Sequence, residues 1–289
     1  MIQHRNIMAL GSMMLATMFL AGSCVTIAPV TKGLESERLL PADALAYARL
    51  DKATLAAAMA MLPGTDAKNA GTLANRTHSM TAAFVRIPGS SKTGLLAVAI
   101  GKYPAGAASL GLSSDKTWSR EGVVWERKDG TLRLAFADGG RVFLGTVPID
   151  SLLSAASLPN AYPIPERWVQ DWSEPIAVYL PDPMTLVRER LPIGDGAIPM
   201  LAMMLSARPS SDDAYVARLS FEFETERAAV VFAPLCRVFL YAAASTLWPE
   251  RSATVTDSAV WSTNGRVVSA SGLPLDASAV AGFTSLAGF

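Results

Sequence analysis

The hydrophobic pattern divides the chain into short strand-like stretches and a few long apolar runs. Residues 44–50, 80–87, 94–103, 123–128, 131–137, 141–146, 176–180 and 214–219 are short, apolar or alternating, and bounded by Gly, Pro, Asp or Ser, which predicts strands. Asp129-Gly130, Asp138-Gly139-Gly140 and Asn264-Gly265 lie between such stretches, and glycine supplies the positive φ that a tight hairpin turn demands. Three further runs read as helices. Residues 52–62 follow Asp51, whose carboxylate can cap them, and end at Pro63-Gly64; Leu55, Met59 and Leu62 sit among alanines with almost no polar face. Residues 198–205, with Met200, Met203 and Met204, follow the flexible joint Gly194-Asp195-Gly196. Residues 228–248 carry Arg237 as their sole charge and Pro234 in their first half. Polar residues 66–78, small residues 104–113 and residues 149–156 predict three shorter helices.

These elements come in an order that repeats. Asp182-Pro183-Met184-Thr185-Leu186 follows strand 176–180 as Asp51-Lys52-Ala53-Thr54-Leu55 follows strand 44–50. Residues 214–219 (AYVARL) echo 82–87 (AAFVRI), and the hairpin at Asn264-Gly265 echoes the meander ending at 141–143. The expected fold class is α+β, with two similar halves of mainly antiparallel strands packed with helices, 42–157 and 176–289, as an internal duplication would leave them. Residues 158–175 form a connector with Pro159, Pro163, Pro165, Trp168 and Trp172. The two Trp, four apart, share one helical face; either they cover the sheet or they form a turn that seeks a water-lipid interface.

The N-terminus changes the setting. Arg5 precedes an apolar run over residues 7–20, then Ala21-Gly22-Ser23-Cys24. A basic head, an apolar segment of about 7 to 15 residues and small residues before a cut define a secretory signal over 1–23. Small residues running into a cysteine resemble a bacterial lipoprotein precursor with a relaxed lipobox, Leu20 standing one place before the usual position. That resemblance implies acylation of Cys24, diacylglyceryl and palmitate-type chains included, as the mature N-terminus. Residues 24–41 read as a tether, with a helical turn near 35–40. Removing 1–23 takes away Arg5 and no acid, leaving 24 basic against 25 acidic residues, net −1. No basic stripe points to nucleic acid. A hydrophobic content of 51% excludes global disorder. With Cys24 acylated, Cys236 has no disulfide partner, so packing alone holds the domain.

Reactive groups are scattered. His78 stands alone in the polar helix, and no phosphate-binding, zinc-protease or nucleophile-elbow motif occurs. Glu222 and Glu224 share a strand face, the usual sign of solvent exposure. Neither an enzyme nor a cofactor is expected.

A lipidated N-terminus, a near-neutral domain and apolar helices at 52–62, 198–205 and 228–247 resemble the treponemal concealed outer-membrane lipoproteins, in which an α/β domain carries amphipathic helices that enter the inner leaflet of the outer membrane. The resemblance implies a protein anchored at Cys24 on the periplasmic face of the outer membrane that binds or moves lipid or perturbs the bilayer. Its lipid-contacting candidates are Leu55, Met59, Leu62, Trp168, Trp172, Met200, Met203, Met204, Val231, Leu235 and Phe239. The alternative is a tethered, non-catalytic scaffold for envelope proteins or for self-association.

Overall fold

The computed structural model describes residues 29–52, 54–55, 74–90, 92–185, 198–211, 214–247 and 250–275. Twelve strands form one sheet: β1 (Ala46–Asp51), β2 (Thr77–Arg86), β3 (Thr93–Gly101), β4 (Trp118–Glu121), β5 (Val124–Arg127), β6 (Arg133–Ala137), β7 (Arg141–Gly145), β8 (Ile176–Leu180), β9 (Met200–Ser211), β10 (Ala214–Phe223), β11 (Val260–Asn264) and β12 (Val267–Leu275). Their order is β11-β12-β10-β9-β8-β1-β2-β3-β7-β6-β5-β4, and every neighbouring pair is antiparallel. The α-helices lying wholly among the described residues are α1 (Ala105–Ser114), α2 (Asp150–Ser157), α3 (Val169–Trp172), α4 (Glu226–Leu247) and α5 (Ser252–Ser258). The fold is mixed α+β.

Read outward from the junction of β1 with β8, the order β1-β2-β3-β7-β6 on one side matches β8-β9-β10-β12-β11 on the other; the first side adds β5 and β4. At the junction Tyr47 faces Tyr179 in register, their rings stacked with centroids 6.4 Å apart. Beyond it the two halves use the same capping chemistry. Thr54 donates its N–H (3.1 Å) and hydroxyl (3.0 Å) to Asp51 Oδ1, and Thr185 donates to the two oxygens of Asp182 at 3.2 and 2.6 Å. Glycines in the left-handed region make the hairpin turns: Gly130 at φ 72°, Gly265 at φ 54°.

Because side chains alternate across a strand, the sheet carries a core on each face. On one face, Leu55, Met80, Ala97 and Leu144 continue through Leu50 into Leu205, Phe221, Phe223 and Val268 beneath α4 and α5; we call it the helix face. On the other, Tyr47, Val98, Phe143, Tyr179 and Met204 pack against Leu39, Leu40, α2 and the connector Trp residues; we call it the strap face.

Four expectations are corrected. The run 198–205 is strand from Met200 onward, not helix: Ala202 and Met204 belong to the strap-face core, while Leu205 and the half-buried Met203 pack in the helix-face core. With both faces buried, the alternation leaves no polar signal. His78 is an exposed residue of β2, since that strand begins at Thr77. The described part of the tether is docked chain: Leu39 and Leu40 are fully buried, Thr31 donates from N–H and hydroxyl to Asp138 Oδ1, and Arg141 donates to the carbonyls of Thr31 and Leu34. Glu222 is buried rather than exposed, its carboxylate held by Arg167 Nε at 2.8 Å and Arg266 at 3.4 Å, whereas Glu224 lies at the surface. β4 had no counterpart in the sequence reading.

Candidate lipid-facing surface

The 22 residues of α4 span about 33 Å at 1.5 Å per residue. Glu226 stands in the first turn, where an acid suits the helix dipole, and the Thr225 hydroxyl accepts the Ala228 N–H at 3.1 Å. Ala229, Cys236, Leu240 and Ala244 recur at intervals of seven, four and four, and all are buried against β10 and β12, with Phe232, Ala233 and Phe239 flanking them. That is the spacing of one helical face. Phe232 stacks on Phe223, centroids 6.0 Å apart. Burial pushes the Cys236 thiol up to about 12, so it sits there as a small hydrophobe rather than a nucleophile.

The outward face is unusual because it is apolar too. Val230, Val231, Val238 and Tyr241 are 65%, 61%, 60% and 49% exposed, and Pro234 lies between them. The charges on this face are Arg227 and Arg237, and the Arg237 guanidinium lies over the Trp261 ring at 5.3 Å. Pro234 lacks an N–H, but its place on the open side lets the carbonyl it leaves unpaired reach solvent. Glu226–Ser245 is long and apolar enough to cross a membrane by length and composition, and most of it is not buried. Exposed valines at i, i+1 and i+8 form a contiguous stripe, which soluble monomers rarely display.

The other candidates fall elsewhere. Leu55 is fully buried in the helix-face core, and Met200 is buried near the start of β9. Met204 is buried and Met203 half-buried. Trp168 and Trp172 are buried on the strap face, where Trp172 Nε1–H donates to Glu37 Oε1 at 3.0 Å; they cover the sheet and present nothing to an interface. Leu235 and Phe239 are half-buried on the flanks of α4, and Val231 is its exposed centre. Cys24, Met59 and Leu62 lie outside the described residues. The sequence reading missed Val230, Val238 and Tyr241, although Val238 lies seven residues from Val231 and Tyr241 three from Val238, both helical-face spacings. Among the described residues no group of three or more His, Cys, Asp and Glu is placed to hold a metal ion.

The architecture has solved counterparts. The fold is similar to that of TP0453 of Treponema pallidum in three crystal forms. Form I matches with a TM-score of 0.64 at 15% identity, covering 89% of this chain and 99% of that one. Form III gives 0.63 at 14% identity over 88% and 98%, and form IV 0.62 at 14% over 87% and 96%. At this identity the likeness concerns the fold. No family model matches the chain, and no curated protein matches it in sequence.

Proposed function

We propose that this chain is a bacterial envelope lipoprotein, anchored through Cys24 at the periplasmic face of the outer membrane, whose helix face docks on or partly enters the bilayer to bind or move lipid. The observation that carries the reading is the outer stripe of α4. Val230, Val231, Val238 and Tyr241 are solvent-exposed on a helix whose opposite face is already fully used in the core. Apolar surface of that extent is stabilised when it leaves water, by about 25 cal/mol per Å². An amphipathic helix lying in the interface plane buries such a face. A spanning role fits less well: the inner stripe would have to leave Phe221 and Phe223, and Arg237 would enter the hydrocarbon at a cost of about 2.5 to 3.5 kcal/mol on the permissive insertion scale. The likeness in fold to TP0453 and the lipoprotein-like N-terminus support the envelope setting.

The test is vesicle flotation of the chain beginning at Val25, which retains every described residue. Binding that is lost in Val231→Glu/Val238→Glu with unchanged thermal stability is the expected result. Failure to float with any lipid composition would remove bilayer docking and favour the scaffold reading.

A further inference from the structure

The end of the sheet formed by β1, β2, β3 and β7 is where the N-terminal segment leaves the domain. Asp138, in the β6–β7 turn, donates its N–H to the Pro29 carbonyl at 3.1 Å and accepts from the N–H groups of Thr31 and Lys32. From there to Cys24 is five residues, a reach of at most about 18 Å fully extended. Whatever holds Cys24 therefore sits close to this end.

The same end is basic. Lys32 follows the exit; Lys52 leaves the end of β1, Arg76 leads into β2, and Lys102 follows β3. The Lys102 N–H donates to the Arg76 carbonyl at 2.8 Å, and Gly140, in the turn that grips the N-terminal segment, lies against the carbonyl of Gly101, so these positions share one corner. All four side chains are exposed, and none forms an ion pair with a described residue. A fifth cation, Arg141, is committed to the carbonyls of Thr31 and Leu34. Of the carboxylates here, Asp51 accepts from Thr54 and Asp138 from Thr31 and Lys32, while Glu174 is half-buried beside Pro175, whose carbonyl accepts the Asp51 N–H. Among the described residues, five cations against three anions leave an excess of two positive charges at this corner, in a chain whose formal net charge is zero. Overall charge would not draw this domain to an anionic surface, but a corner excess next to the anchoring exit would orient it on one.

We infer that this corner, Lys32, Lys52, Arg76 and Lys102, is a docking site for the anionic headgroups of the anchoring membrane, setting how the domain lies on the bilayer. The inference rests on the reading that the helix face meets lipid, and it names the lipid class that the contact prefers. Each basic residue near an anionic leaflet strengthens attraction about 5-fold.

Flotation of the chain beginning at Val25 with vesicles of phosphatidylcholine alone, and of phosphatidylcholine with phosphatidylglycerol, separates the possibilities. The expected result is tighter binding with phosphatidylglycerol, weakened by salt and reduced by roughly 100-fold or more in Lys32→Gln/Lys52→Gln/Arg76→Gln/Lys102→Gln, with the binding to phosphatidylcholine kept. The control Lys92→Gln/Lys128→Gln, at the opposite end of the sheet, should keep the preference. Equal binding to both vesicles, or equal loss in the control, overturns the basic corner and leaves the α4 surface standing. No binding to either overturns both.

Discussion

The helices α1 and α4 leave the third strand outward in two halves with the same strand order, and each leads to an edge of the sheet. They are built oppositely. In α1, AGAASLGLSS, no residue is buried and Leu110 is 74% exposed. In α4 one face is core, and the other presents valines to solvent. Equal topology therefore does not imply equal use. α1 is a connection carrying little that packs, whereas α4 holds the second half together with one face and has an equally apolar face left over.

The largest contrast is in stability. Leu240→Ala, on the inner face of α4, is expected to cost about 2 to 5 kcal/mol in urea unfolding. Leu110→Ala in α1 should stay within about 0.5 kcal/mol; a comparable loss there would show that α1 packs as α4 does. Lipid binding comes next. Val231→Glu/Val238→Glu is expected to lower vesicle partitioning by about 100-fold, at roughly 1.5 kcal/mol per valine no longer buried. Leu110→Glu should change it by less than about 10-fold, and equal effects would erase the distinction between the helices.

A smaller effect is set by proton linkage. Burial pushes Cys236 on the inner face of α4 from 9.0 up to about 12, and Tyr47 at the β1–β8 junction from 10.0 up to about 12. Over that window the unfolded chain releases protons that the folded chain keeps, so their contribution is complete below about 9 and is lost as pH rises towards 12. Urea midpoints should fall on the alkaline side, less steeply in Cys236→Ala, and the native thiol should resist alkylation. Rapid modification of Cys236 at neutral pH would mean that the inner face opens.

The smallest effect is local. Hydrogen bonds from the Thr31 hydroxyl, then the Thr31 N–H, hold the Asp138 carboxyl below its ordinary range. A depressed carboxylate stabilises above its unfolded value and loses that contribution as pH falls through the folded one. Acid, or Asp138→Asn at neutral pH, should release residues 29–34 to faster hydrogen exchange while leaving α4 protected. Concerted loss of protection in α4 would tie the strap to the helix face.

Much of this molecule was legible in advance because its signals are local. Asp-Gly and Asn-Gly turns marked the hairpins; the Asp51 and Asp182 caps marked the repeated order; residues 228–248 marked α4 to within two residues at its start. The misses share a cause: their state depends on what lies across the sheet. β9 has no polar face because both its sides meet a core. Trp172 satisfies its indole N–H on Glu37, 135 residues away, so local sequence left open whether the Trp pair covers the sheet or seeks an interface. Residues 29–41 look like a linker until Asp138 and Arg141 supply donors and acceptors for their backbone.

The sequence by itself determined the α+β class, the turns of most hairpins and the apolar character of α4, because turn chemistry and helical periodicity act over a few residues. Only the tertiary structure decided which apolar surfaces are consumed. It buries Leu55, Trp168, Trp172, Met200 and Met204 and leaves Val230, Val231, Val238 and Tyr241 outside, because burial depends on which neighbours the sheet places opposite each side chain.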